Sequence, residues 1–168
     1  MSRVLMTTLA YILATALLAS EFAQADQRTT ILGWVEEVAV LDAHMNFQAK
    51  IDTGADSSSL NASDIDYVQR DGSTWIRFHL TDHTGAQIAM EQPLVRLVKI
   101  KLKEGGFIER PVVTLSLCIA GQQLNAEVNL TNRNHFNYPM LVGRSLMARR
   151  FLVDPQHTHL TQPVCTTS

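Results

Sequence analysis

Asp52-Thr53-Gly54-Ala55-Asp56 is the stretch of this chain whose residue types could do chemistry. Two carboxyl groups about 3 Å apart cannot both ionise, so they share a proton. One can then draw a proton from water while the other polarises the carbonyl under attack. Asp52 offers a carboxylate on a short, stiff side chain, Thr53 a hydroxyl for bonds within the loop, and Gly54 a tight backbone turn beside the carboxylate. The string occurs once in the 168 residues. A second carboxylate would therefore come from another copy of the chain, and the motif predicts a homodimer as well as a reaction. Asp-Thr-Gly alone also makes an ordinary turn, so the elements around it must decide.

Those elements read as short strands. Hydrophobic residues recur mostly with period two, turn residues separate the runs, and sustained helical periodicity is scarce. Val38 to Leu41 and Phe47 to Ile51 flank the polar bend 42–46 and form a hairpin that delivers Asp52. In Trp75 to Leu80, residues Ile76, Phe78 and Leu80 share one face. Val98 to Lys103 alternates apolar and basic residues, breaks at Glu104-Gly105-Gly106 and resumes at Phe107, a hairpin with a glycine tip. Pro111 cannot donate to a central ladder, which places the returning strand at an edge or in a projecting arm. Val112 to Ile119 and Ala126 to Leu130 flank a turn at Gly121-Gln122-Gln123. One helix is expected, Arg144 to Arg150, after Gly143 and before a strand at Phe151 to Val153.

The first residues set the compartment. Arg3 precedes an uncharged run from Val4 to Ala19, followed by Glu21 and Ala23-Gln24-Ala25, an A-x-A cleavage pattern. Residues 1–25 are thus expected to be a signal peptide cut after Ala25, leaving one domain over 26–168 that is secreted or periplasmic. A retained N-terminal membrane anchor is the alternative; the apolar run falls short of the roughly 20 residues that span a bilayer. Net charge is -2, which carries no nucleic-acid signature, and no membrane partner is expected after cleavage. Cys118 and Cys165 would both reach an oxidising compartment. They form either a disulfide that pins the tail or a buried strand thiol and a loose tail thiol.

The order of segments resembles a retropepsin, the single-domain aspartic protease of retroviruses: a hairpin into Asp52-Thr53-Gly54-Ala55-Asp56, then Gly105-Gly106-Phe107-Ile108, then Met140 to Met147 with Gly143-Arg144. The likeness covers about residues 36 to 152, with some 25 extra residues between the loop and the second segment. It implies a mainly β fold, a closed β-barrel with one short C-terminal helix. Asp52 is implied as the catalytic residue, and Thr53, Gly54, Ala55, Asp56 and Arg144 as support for the active-site loop, with Asp56 and Arg144 paired. Gly105, Gly106 and Phe107 would belong to a flap closing over a peptide or protein substrate.

More closely, Gly33-Trp34, Ala49 to Ala55, Glu109 to Val112 and Pro139 to Arg144 resemble a bacterial retropepsin-like branch. Its members are often labelled ATP-dependent zinc proteases and are associated with ATP-grasp glutamate ligases. The residues do not carry that label. There is no GxxxxGK[ST] loop and no HExxH helix, and His44, His79, His83, His135, His157 and His159 are scattered. No cofactor and no metal are expected; a zinc-dependent peptidase is the remotest alternative.

Two departures from the retroviral pattern stand out. Lys50 replaces an apolar residue just before Ile51-Asp52, and Leu102-Lys103-Glu104 replaces a longer apolar flap tip. Lys99, Lys101 and Lys103 share a face that either meets an acidic peptide or is simply solvated. Ala55 withholds the hydroxyl that pepsin-like loops place there, which favours a proton held to higher pH and activity from mildly acidic to near-neutral conditions. Two functions fit: an aspartic endopeptidase with an Asp52/Asp52' dyad in a homodimer, or a catalytically silent retropepsin-fold domain that binds peptides or regulates.

Overall fold

The computed structural model describes residues 29–102 and 104–165. The expected leader, residues 1–25, and Lys103 lie outside them. The strands are β1 (Thr30–Gly33), β2 (Val35–Val40), β3 (Met45–Asp52), β4 (Ser58–Asn61), β5 (Ser63–Arg70), β6 (Ser73–Thr81), β7 (Gln87–Pro93), β8 (Arg96–Lys101), β9 (Phe107–Ile119), β10 (Gln122–Thr131), β11 (Met140–Gly143) and β12 (Phe151–Asp154). A 3-10 turn, Leu41–Ala43, joins β2 to β3, and the helix α1 spans Arg144–Met147. Among the described residues the fold is mainly β with one short helix, the retropepsin-like architecture.

Seven strands form one sheet in the order β10-β4-β11-β3-β2-β9-β8. An additional β9–β10 pairing brings the sheet back on itself, yet β2 meets β9 only at Ala39↔Cys118 and Val40↔Leu117. The N-terminal half of β9 is taken by β8, from Arg96↔Val112 to Lys101↔Phe107. The expected closed barrel is therefore corrected to a sheet that curls without fully closing. Phe107 to Pro111 pair with β8, while the β10 pairing starts at Val112. Pro111 thus stands on a projecting two-stranded arm, where its missing N–H costs no central ladder bond.

The extra residues between loop and arm form a separate sheet, β5-β6-β7. Its Ile76, Phe78 and Leu80 are fully buried and join Phe47, Leu60, Leu115, Val128 and Met140 in a single core. Each removes apolar surface worth about 1.5–3 kcal/mol from water. In β3 the alternation is clean: Met45, Phe47, Ala49 and Ile51 are buried while Asn46, Gln48 and Lys50 face out. The period of two that selects a strand also aims Asp52 to the same side as Lys50.

The C-terminal tail is tied to β1 and β2. β1 pairs in parallel with β12, Thr30↔Phe151 to Gly33↔Asp154. Glu36 is fully buried and accepts bonds from Gly33 N (2.6 Å), Leu160 N (3.1 Å), Thr161 N (3.1 Å) and Thr161 Oγ1 (2.9 Å). Such a buried carboxylate is tolerable because its oxygens are met by donors. Cys118 and Cys165 are joined in a disulfide, Cα–Cα 5.9 Å, across 47 residues. In the chain-entropy account a loop of that size gains about 4 kcal/mol. The helix is shorter than the expected Arg144 to Arg150: it ends at Met147, and Arg149 already adopts a left-handed φ of 67°.

Candidate active site

Asp52 ends β3, and its position is set by backbone. β11 runs parallel to β3 with Gly143 opposite Asp52. The loop then closes on itself: Gly54 N donates to Asp52 Oδ1 at 3.0 Å and Ala55 N to Asp52 O at 3.2 Å. From the other side Arg144 N donates to Ala55 O (2.9 Å), Ser145 N to Asp56 O (3.1 Å) and Ser145 Oγ to the same carbonyl (2.6 Å). Gly143 N donates to Ser58 Oγ at 3.1 Å. A Cβ on Gly143 would lie 2.6 Å from Ser57 C and 2.7 Å from Ser57 O, so this crossing of two backbones admits only glycine.

The expected Asp56–Arg144 pair forms, with Arg144 Nη2 at 3.1 Å from Asp56 Oδ1. Both side chains are more than half exposed, so solvent screens the pair and it contributes little. The brace is mostly backbone, through Gly143 and Ser145. Ser58 and Ser145 escape a reading of the sequence, since short polar residues beside a turn carry no signal of where their hydroxyls point.

Lys50 Nζ lies 3.1 Å from Asp52 Oδ2. Burial pushes the Asp52 carboxyl up, but Lys50, through its hydrogen bond and its charge, and the Gly54 and Ala55 N–H groups outweigh it and hold the pKa below the usual aspartate value. In the single chain, lysine and loop amides thus favour the ionised carboxylate that a hydroxyl at position 55 would also favour. Raising the pKa again falls to a second carboxylate.

The cleft at Asp52, about 510 Å³, is lined by Trp34, Lys50, Arg133, Tyr138 and Leu141 among others. Arg133 is 5% exposed. Its Nε donates to Tyr138 O at 3.2 Å, its Nη1 to Ser59 Oγ at 3.1 Å, and its guanidinium lies 4.5 Å from the centre of the Phe136 ring. Burial and the nearby Arg110 guanidinium lower its proton affinity, and the Asp52 charge opposes them. A loop arginine gives no local hint of such a place.

Residues 52–56 and Arg144 are thus brought together, while Gly105, Gly106 and Phe107 are not. The arm turns through Gly105 N to Leu102 O (3.2 Å) and Leu102 N to Gly106 O (3.1 Å), with φ of 92° and 83° at the two glycines. Phe107 is 65% exposed, and none of the three lines the cleft at Asp52. Among the described residues no three His, Cys, Asp or Glu side chains converge to hold a metal ion, and no helix is long and apolar enough to cross a membrane.

A mainly β domain with one Asp-Thr-Gly loop, clasped by a parallel strand and a one-turn helix, defines the single-domain retropepsin-like class. The comparison with known families agrees: residues 31–163 match the RimB-like family, described as Retropepsin-like aspartic endopeptidase RimB, and the chain belongs to it. A crystal structure of a DUF785 protein of unknown function from Legionella pneumophila superposes with TM-score 0.68 at 36% identity, covering 79% of this chain and 98% of that one. Two curated relatives are named Probable alpha-L-glutamate ligase. That of Parasynechococcus marenigrum is 35% identical over 115 residues, 67% of this chain and 25% of the relative. That of Shewanella halifaxensis is 31% identical over 114 residues, 66% of this chain and 25% of the relative. The chain spans about a quarter of the length of these relatives.

Proposed function

We propose that the chain is an aspartic endopeptidase that hydrolyses peptide bonds as a homodimer, with Asp52 of each copy facing the other across a two-fold axis. The observation that carries this reading is the Asp52 loop, a partly exposed carboxylate at a strand end whose backbone is fixed from both sides. The surface beside it supports pairing. A groove of about 430 Å³ runs from Thr53 along Met147 and Phe151 to Leu152, and Leu152 pairs with Ile31 in the β1–β12 ribbon. Leu152 and Ile31 are 60% and 53% exposed, an apolar rim beside the loop that a second copy would cover. In the dimer one Asp52 takes a proton from water and its mate, protonated, donates to the carbonyl oxygen of the substrate. Lys50, 3.1 Å from Asp52 Oδ2, stays beside the pair, where its charge favours the ionised carboxylate that takes the proton from water.

The names of the curated relatives bring glutamate into the proposal as a substrate feature. Lys50 and Arg133 beside Asp52 supply the cations for a peptide with acidic residues at the cleft. In the same reading the enzyme acts outside the cytoplasm after loss of residues 1–25. The second reading, a silent peptide-binding domain, is favoured by one observation, the Lys50–Asp52 ion pair that occupies the carboxylate. Sizing of the mature protein and peptidase assay of wild type and Asp52→Asn separate the two. A dimer whose hydrolysis vanishes in the variant is expected; hydrolysis that survives it would refute the dyad, and a folded protein that binds peptides without cutting them would favour the silent domain.

A further inference from the structure

The outward face of β3 does not end at the catalytic loop. Asn46, Gln48, Lys50 and Asp52 alternate along one side of the strand, spanning about 20 Å at roughly 3.3 Å per residue. Lys50 and Asp52 line the cleft already described. Asn46 and Gln48 line a second and larger cleft, about 770 Å³. The two share a wall, since Arg133 and Tyr138 border the first, and Asn132, Asn134 and Pro139 the second. The far wall comes from the β5-β6-β7 sheet, through Ser63, His79, Thr81 and Gln87. The extra residues that set this chain apart from the compact retroviral pattern therefore build one side of a cleft that lies along the same strand face as Asp52.

We propose that this second cleft is a distal subsite for substrate, holding a polar, non-acidic stretch of peptide several residues away from the bond that is cut. The inference rests on the peptidase reading above. Its lining is rich in amides and hydroxyls, which offer both donors and acceptors to a peptide backbone and to Ser, Thr, Asn or Gln side chains. The amides of Asn46 and Gln48 are exposed on the outward face of the strand, where a ligand can reach them. The lining also carries the carboxylates of Glu37 and Asp82 and the imidazoles of His79 and His83. Lysine and arginine are confined to the Asp52 end, so the cationic side chains beside Asp52 give way to a lining that disfavours acidic residues. A peptide is favoured over a free small molecule because the floor is one continuous strand face with the reactive carboxylate at its end, and an extended chain of about six residues covers that distance.

The test compares quenched-fluorescent peptides of roughly twelve residues with cores of roughly six that reach little beyond the Asp52 cleft. Gln48→Ala removes an exposed amide, and Gln87→Trp fills the cleft from the far wall; unchanged thermal unfolding establishes that both fold. For the long peptides each variant is expected to lower kcat/KM about tenfold, mainly through KM, and to leave the short cores unchanged. Equal effects on both lengths, or no effect on the long peptides, would overturn the proposal. If wild type cuts no peptide, the peptidase reading fails, and the subsite is judged by anisotropy of the same long peptides on Asp52→Asn. Binding that Gln87→Trp weakens supports the subsite. Binding indifferent to Gln87→Trp, or a cleft that takes a soluble oligosaccharide in place of peptide, overturns it.

Discussion

The Asp52 loop and the glycine-tipped arm are comparable in sequence, each a short turn between strands, but they are held in opposite ways. The loop at 52–56 is bonded on both sides, with Gly143 pressed against Ser57 and Ser145 on Asp56 O. The arm from β8 to β9 turns on its own two bonds across the tip and carries Phe107 into solvent. A Cβ built on Gly105 or Gly106 meets nothing within 4 Å. One turn is fixed before any partner arrives, and the other is free to follow one. That is the division expected where a reactive group must be placed in advance and a cover must move.

The sharpest way to break the contrast is Gly143→Ala. The new methyl meets backbone that cannot give way, so the variant is expected to lose 3 kcal/mol or more, about the scale of a severe core change, or to yield no folded protein. Denaturant unfolding measures it; near wild-type stability would show that the crossing is not tight. Next comes Cys165→Ser, which frees the tail that Glu36 also holds. A loss of about 2–4 kcal/mol is expected, read as a lower melting temperature that a reductant reproduces in wild type. Gly105→Ala tests the arm. It costs about 1 kcal/mol from its positive φ alone, and its main effect should be on KM rather than on folding.

The smallest effect on stability is expected from Lys50→Met, which acts on pH. Lys50 helps hold the Asp52 pKa down, so removing it raises that pKa. The dyad then keeps its shared proton to higher pH, and the basic limb of the activity profile moves up. For folding, a depressed carboxyl contributes stability that is present above its unfolded pKa and is lost as pH falls through the folded value. The variant should show a smaller loss of stability on acidification. A profile that does not move would show that Lys50 does not tune the dyad.

Much of the loop's side of this comparison can be read from residues alone. The alternation in β3, the order of Asp52 and Gly143-Arg144, and Pro111 on an arm all follow from local pattern. The rest depends on contacts between distant segments. Glu36 lies in Val35-Glu36-Glu37-Val38, where nothing local says that one glutamate is buried, because the donors it meets come from Leu160 and Thr161. Arg133 is drawn in by Ser59 and Tyr138, neither of which its neighbours announce. Barrel closure is not legible either, because nothing local reveals that β8 takes half of β9. Nor is the end of the helix, because Arg149 takes a left-handed turn that arginine does not signal.

The central claim is that two copies of Asp52 form one site, and mixed dimers test it most directly. Wild type and Asp52→Asn are co-refolded at constant total concentration and varied ratio, and the hydrolysis of one peptide is followed. If each site needs both carboxylates, activity falls with the square of the wild-type fraction, to about a quarter at an equal mixture. A linear fall, to about a half, would mean that one chain carries a complete site and would contradict the account.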